Sequence, residues 1–354
     1  MRIAQVAPLI ESVPPRLYGG TERVVSYLTE ELVRKGHEVT LFASGDSVTR
    51  SHLVAGAPRA LRLDSTVADP LPHHLLMVEK IWQHADDFDI IHNHIDHLLF
   101  PMLRRTGVPS LTTLHGRLDI SDLKPLFREY KEMPLASISA SQRRPLYWAN
   151  WQGTVLHGLP LDLYAPSPHH DGYLAFLGRV SPEKGLEAAV EIARRSGRPL
   201  KIAAKVDPAD REYYQCKIVP LLKDPNIEFL GEIKDSEKNQ FLGAAVALLF
   251  PVDWPEPFGM VMIEAMASGT PIVAFNRGSV PEVIEEGVTG FFVDDVQGAV
   301  QAVDRIEQLD RIKIRRRFET RFTASRMAEE YLRLYRRQVE AFAAQRTDAR
   351  LLAN

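Results

Sequence analysis

The stretch PEPFGMVMIEAMASGTPIVAF, residues 255 to 275, sets two carboxylates on either side of a Pro-Phe-Gly turn, with seven residues between Glu256 and Glu264. If Met260 opens a helix, Glu264 lies a little over one turn in, among Val261, Met262, Ile263, Ala265 and Met266. A charge in such apolar company must find partners. A vicinal diol such as that of a ribose would serve, since one carboxylate accepts two hydrogen bonds from it. Glu256 stands before the turn, nearer the strand end at Pro251, and the backbone of Phe258 and Gly259 offers N–H groups between the two carboxylates. A second constellation lies in FLGRVSPEKGLEAAVEIA, where Ser181 reads as a helix N-cap and Pro182 as the first helical residue. Arg179 and Lys184 flank that N-terminus, where cations oppose the helix dipole at a cost of a few tenths of a kcal/mol. Either Glu183 compensates them, or an external phosphate or diphosphate does, taking guanidinium, ammonium and helix N–H groups together. A third is LIESVPPRLYGGTERVV, in which Gly19 and Gly20 precede a helix that Thr21 could cap. Two glycines let a phosphate or a sugar approach the backbone N–H groups, or they simply bend the chain at a helix start.

These residues need elements to hold them. RIAQVAP is a short apolar run, TERVVSYLTEELVRKG carries Val24, Val25, Leu28 and Leu32 at helical spacing up to Gly36, and HEVTLFAS alternates as a strand. Further strands are expected at residues 89 to 94, 108 to 115, 135 to 141 and 153 to 158, with helical segments between most of them. The proline-rich LPLDLYAPSPHHDG, 159 to 172, reads as a linker. After it come strands at 173 to 178, 200 to 205, 227 to 231, 246 to 251 and 271 to 275, alternating with helices that start near Pro182, Pro208, Asp235, Gly259 and Val280. The fold class is therefore α/β, two Rossmann-like doubly wound parallel-sheet domains in tandem, residues 1–160 and 161–322, with a cleft between them. In such sheets ligands gather at the carboxyl ends of the strands, where all three constellations lie. The tail, TASRMAEEYLRLYRRQVEAFAAQ, reads as one long helix, 323–345, with Met327, Tyr331, Leu334 and Tyr335 on one face and Thr323 or Ser325 as cap.

A chain of 354 residues with 45% hydrophobic content can fill two cores. Its net charge of −3 argues for no nucleic-acid partner and no polybasic membrane anchor. No window approaches the roughly 18 apolar residues of a membrane span, so membrane contact is peripheral at most. One cysteine, Cys216, excludes an intrachain disulfide framework, and the strand-like start points to a cytoplasmic protein. His92, His94 and His97 have a spacing a metal could use, but they sit at a strand end and read as no metal site. Asp87-Phe88-Asp89 reads as a polar turn, and RIKIRRRFETR, with Ile312, Ile314 and Phe318 interleaved, as an amphipathic helix with a solvated basic face. No G-x-G-x-x-G or G-x-x-x-x-G-K-[ST] occurs, which argues against a dinucleotide-dependent dehydrogenase and a P-loop enzyme.

Taken together, the chain resembles the family 4 retaining nucleotide-sugar glycosyltransferases of the GT-B fold over nearly its whole length. The resemblance is carried by Gly19-Gly20, T-x-H-G from Thr113 to Gly116, G-R-x-x-x-x-K-G from Gly178 to Gly185 and E-P-F-G-x-x-x-x-E from Glu256 to Glu264. G-T-P-I-V-A at 269 to 274 and E-x-I-x-x-G-x-x-G-x-x-V from Glu282 extend it. It implies a nucleoside diphosphate sugar donor on the C-terminal half, with the diphosphate on Arg179 and Lys184, the ribose on Glu264, and Gly19, Gly20, Phe258, Gly259, Met260 and Val261 lining the donor site. Glu256 would lie beside the transferred sugar and His115 would face it from the N-terminal half. Ile233, Asp235 and Lys238, in a segment resembling one that lines the base pocket, are nominated for the base. It further implies transfer of a hexosyl group with retention, no metal and no cofactor, a C-terminal helix that crosses back, and a carbohydrate, lipid-linked or small-molecule hydroxyl acceptor. A UDP-sugar is favoured over GDP-mannose only because such donors are commoner. His157-Gly158, where relatives have Asn-Gly, and the extra Ser12-Val13-Pro14-Pro15 depart from the family pattern and concern the hinge and the acceptor entrance. A sugar-nucleotide epimerase or hydrolase would turn over without acceptor, and a non-catalytic binding protein would hold donor and release nothing; both can share this architecture.

Overall fold

The computed structural model describes every residue except Tyr18, Leu63 and Asn354, and no side chain from residue 345 onward. The chain divides into two compact units, residues 1–158 with 324–354, and residues 159–323.

The first unit is built on seven parallel strands: β1 Arg2–Val6, β2 Glu38–Ser44, β3 His52–Ala57, β4 Ile90–Asn93, β5 Ser110–Thr113, β6 Leu135–Ser137 and β7 Trp151–Thr154, in the order β3-β2-β1-β4-β5-β6-β7. Central strands of a parallel sheet are covered on both faces, so they read as continuous apolar runs rather than alternating ones. Ile3, Ala4 and Val6 of β1 and all of β4 are buried accordingly. The second unit repeats the plan with β8 Leu174–Arg179, β9 Leu200–Lys205, β10 Ile227–Gly231, β11 Ala247–Phe250, β12 Ile272–Phe275 and β13 Gly290–Val293, ordered β10-β9-β8-β11-β12-β13. In each sheet the winding reverses once, between β1 and β4 and between β8 and β11. There, neighbouring loops part to opposite faces and leave a crevice at the carboxyl ends.

The helix Gly20–Arg34 buries Val24, Val25, Leu28 and Leu32, and the helix Ala324–Ala353 buries Met327, Tyr331, Leu334 and Tyr335 against the first unit. Several local expectations need correction. Thr21 does not cap the first helix; Gly19 is the N-cap residue, Gly20 already helical, and no side chain caps the turn. Ser181 opens only a 3-10 turn, Pro182–Lys184, again without a side-chain cap, and the α-helix starts at Leu186. The break is Gly185, at φ 72°, where a Cβ would meet the Pro251 carbonyl oxygen at 1.9 Å. After Pro208 the chain forms short 3-10, α and π turns rather than one helix. The strand His52–Ala57 and the helix Leu71–Gln83 are additional elements. In the basic helix Arg311–Arg321, Ile312 is exposed while Ile314, Arg315 and Phe318 are buried. Arg315 donates to the carbonyls of Tyr164, Ala267 and Leu161, and Arg311 to those of Ser167, Ala245 and Gly243. Two of the basic residues thus tie loops together instead of forming a solvated face. Asp87 lies in a 3-10 turn and Asp89 pairs with Arg2, a polar turn ahead of β4. Among the described residues no helix is long and apolar enough to cross a membrane.

Candidate active site

In the C-terminal unit, the loops after β8 and β11 border the crevice and are bonded to each other: the Asp253 amide donates to the Glu183 carbonyl at 2.9 Å. Close approach of Gly185 to Pro251 then brings Lys184 to Glu256, Nζ to Oε2 2.5 Å, and the indole of Trp254 donates to the same oxygen at 2.9 Å. The ammonium also lies 5.0 Å from the Trp254 ring centroid. Glu256 is buried, and the loop before Val280 closes over its backbone. Ser279 N–H donates to the Glu256 carbonyl at 3.0 Å, and a Cβ on Gly278, at φ 57°, would meet Glu256 N at 2.3 Å.

Glu264 is buried in the second turn of the helix Met260–Ala267, as its apolar neighbours require, and its partner is Lys238 at 3.1 Å. Lys238 is held in turn by Asp235, also at 3.1 Å, one turn earlier on the helix Asp235–Gly243. Two residues before that helix Ile233 is half-buried, as are Gly259, Met260 and Val261 at the start of the other, while Phe258 is buried. Arg179 ends β8 and pairs with Glu183 at 2.7 Å, with Asp207 and Asp210 at 3.8 Å. Arg179 and Lys184 are therefore brought to one crevice, but each has an internal carboxylate rather than a shared empty cradle. An incoming anion must exchange for Glu183 and Glu256. The Arg179–Glu183 pair is about a third exposed and therefore weak, whereas Lys184 and Glu256 are largely buried and hold each other more firmly.

In the N-terminal unit, Gly19 packs tightly: a Cβ there would meet Pro15 at 2.7 Å, whereas one on Gly20 would meet nothing. Beneath this loop lie two buried carboxyls, Glu11, paired with Arg62, and Glu22. Burial, with the charge of Glu11 second among the raising causes, pushes Glu22 up to about 7. His115 follows β5 and is half-buried, and its Nε2 lies 2.9 Å from Nδ1 of His94. Burial pushes it down to about 3, and it pushes His92, His94 and His157 well below the usual range as well. These rings are neutral at neutral pH. His94 Nε2 meets Gln5 Oε1 at 2.9 Å, and His92 meets Thr113 at 2.8 Å and Tyr335 at 2.6 Å, so all four nitrogens of His92 and His94 are engaged by protein groups. Among the described residues no group of three or more His, Cys, Asp or Glu is placed to hold a metal.

Sequence reasoning passed over Trp254, Gln5 and the partners of His115. Their signals were present: an indole two residues from Glu256, two tyrosines four apart on an otherwise apolar helix face, and H-x-H at a strand end.

Comparison with known proteins places these units in context. Residues 18–175 match the model described as Glycosyltransferase Family 4, and residues 165–322 that described as Glycosyl transferases group 1. The chain is 26% identical to the phosphatidyl-myo-inositol mannosyltransferase of Mycolicibacterium smegmatis, covering 88% of this chain and 86% of that one. Its fold is similar to that of AviGT4, a glycosyltransferase involved in avilamycin A biosynthesis, with a TM-score of 0.73 and 23% identity over 96% of this chain and 98% of the other. It is also similar to that of Anabaena HepE in complex with UDP and glucose, with a TM-score of 0.69 and 18% identity over 94% and 98%.

Proposed function

The chain belongs to the family 4 glycosyltransferases of the GT-B fold, and from that premise we propose that it moves a hexosyl group from a nucleoside diphosphate sugar to a hydroxyl acceptor, with retention and without a metal. The observation that carries this reading is the pair of lysine–glutamate contacts, Lys184–Glu256 between the loops at the winding reversal of the C-terminal sheet and Lys238–Glu264 between the helices before and after β11. On this reading the diphosphate takes Lys184 from Glu256 and Arg179 from Glu183, and Glu264 accepts from the ribose hydroxyls while keeping Lys238. As the anomeric C–O bond breaks, negative charge grows on the departing phosphate oxygen and positive charge on the sugar ring. Cations fixed beside the phosphate stabilise that state more than the ground state, which replaces the work of a metal ion. The acceptor oxygen attacks from the face the phosphate leaves, and its proton passes to the departing phosphate oxygen. Glu256, released from Lys184 and still held by Trp254, lies beside the transferred sugar, and the family resemblance assigns His115 to the same sugar.

The donor is read as a UDP-sugar, and the mannosyltransferase relative makes GDP-mannose the second one to test. The acceptor is a glycan, a lipid-linked polyol or a small metabolite. The experiment is donor hydrolysis and transfer followed by NMR of the product, with Glu264→Ala assayed alongside. Each hydrogen bond to a charged group is worth about 1.5 to 3 kcal/mol, so loss of even one of the two should lower donor affinity roughly 10- to 100-fold, and loss of both further. Unchanged affinity removes the ribose role, and an inverted product anomer removes the retaining reaction.

A further inference from the structure

The buried polar atoms around His115 form one chain with a direction. Gln5, fully buried on β1, turns its Oε1 toward His94 Nε2 at 2.9 Å and its Nε2 toward the Tyr335 hydroxyl at 3.0 Å and His92 Nδ1 at 3.4 Å. An amide is the one group in this set whose two ends cannot trade roles: one only accepts, the other only donates. His94 must therefore carry its hydrogen on Nε2, which leaves Nδ1 a lone pair. The contact of 2.9 Å to His115 then requires that His115 donate from Nε2. On the other side, Gln5 donates to Tyr335, Tyr335 donates to His92 Nδ1, His92 Nε2–H donates to Thr113, and the Thr113 hydroxyl donates to Tyr331 at 3.1 Å. Every polar atom along the chain has a role only if all bonds run the same way.

We propose that Gln5 and His94 are positioning residues for His115, holding it in the neutral tautomer that carries its hydrogen on Nε2 and presents the lone pair of Nδ1. The last helix takes part, because two of its fully buried hydroxyls accept from the chain, Tyr335 from Gln5 Nε2 and Tyr331 from Thr113. Buried tyrosine hydroxyls need partners, and on this helix face they find them in Thr113, Gln5 and His92. Nδ1 is the ring atom of His115 that has no partner among the described residues. A lone pair there stabilises positive charge on a sugar ring, whereas an N–H in its place opposes it. The proposal rests on the reading of His115 given above, but the tautomer can be read without activity.

The test uses the full chain labelled with nitrogen-15 in histidine, with long-range proton–nitrogen correlation to locate the ring hydrogens; the His115 signals are identified by their loss in His115→Ala. The native protein should show His115 protonated on Nε2 and unprotonated on Nδ1. Gln5→Leu should abolish the single tautomer and lower kcat on the order of 10- to 100-fold, the size of effect seen when the orienting partner of a metal-bound histidine is removed, with donor KM changed little. Gln5→Glu keeps an acceptor toward His94 and should restore both the tautomer and most of kcat. A packing role alone would lower stability without moving the hydrogen. Should Gln5→Leu fail to fold, His94→Asn supplies an acceptor near the place of Nδ1 and should retain the His115 tautomer, while His94→Leu should lose it. A hydrogen on Nδ1 in the native protein, or an unchanged tautomer in both Gln5→Leu and His94→Leu, overturns the proposal. Undiminished transfer by His115→Ala overturns the reading of His115 instead.

Discussion

Acid should unfold the N-terminal unit before the C-terminal one, and buried histidines set the scale. His92, His94 and His157 are 0, 2 and 3% exposed. Burial first, and the charges of neighbouring groups second, push each well below the ordinary value of 6.5. For a base depressed in the native state, the unfolded chain takes the proton first, so stability present above pH 6.5 is lost as the pH falls, until the native value is reached. At about pH 5 the loss is roughly 2 kcal/mol per ring, or about 6 kcal/mol for these three, and His115, half-buried and also pushed down by burial, adds at most about 2 more. Glu22 works in the opposite sense. Its native value of about 7 lies above the ordinary 4.5, so the folded protein keeps that proton longer, and the stability it contributes is lost as the pH rises through about 7. Lowering the pH to about 5 therefore returns roughly 2 to 3 kcal/mol through Glu22. Wild type should lose about 3 to 6 kcal/mol between about pH 8 and 5, and Glu22→Gln about 6 to 8, a large share of the 5 to 15 kcal/mol of an ordinary domain. The assay is urea unfolding across that range, with hydrogen exchange resolving β1, β4 and the helix Ala324–Ala353 from residues 159–323, where His169 and His170 are exposed. Stability independent of pH in Glu22→Gln, or earlier opening of residues 159–323, refutes the reasoning.

Gly185→Ala should destabilise the C-terminal unit by at least about 1 to 2 kcal/mol from its left-handed backbone alone, with more from the clash at Pro251, read as a lower urea midpoint. Because the same contact seats Lys184, that variant should also bind nucleoside diphosphate more weakly. Arg315→Ala leaves three carbonyls, two in the loop at 161–164 and one at the end of the helix Met260–Ala267, without this donor and should cost about 3 kcal/mol or more, while Arg315→Lys, one ammonium in place of a fork, should recover only part of it. Trp254→Phe removes the hydrogen bond to Glu256 and keeps the ring near Lys184; kcat should fall and donor affinity hold, measured by initial rates at saturating donor.

Most strands could be read from the sequence because parallel strands covered on both faces leave uninterrupted apolar runs, as in ALLF or IVAF. His52–Ala57 escaped because it is an edge strand, half exposed and interrupted by Gly56. Leu71–Gln83 escaped because Pro70, at its start, offers no side-chain cap and Leu75, Leu76 and Trp82 are exposed opposite Met77 and Ile81, which blurs the period. The charged residues of the C-terminal crevice were legible as types in a pattern, but what each touches was not. Lys184 and Glu256 are 72 residues apart and Gln5 and His94 89, separations that only the strand order closes. Local signals also misled where tertiary contact decides: Ser181-Pro182 has the chemistry of a helix start, yet the approach of Gly185 to Pro251 ends that turn after three residues.

If the proposed donor binds as described, Arg179 and Lys184 hold its diphosphate. Titration calorimetry of UDP and of GDP in EDTA, against wild type, Arg179→Ala and Lys184→Ala, tests it. One of the two nucleotides should bind the wild type and lose at least about tenfold in affinity, roughly 1.4 kcal/mol, in each variant. Undiminished binding in both variants, or no binding of either nucleotide to the wild type, would contradict it.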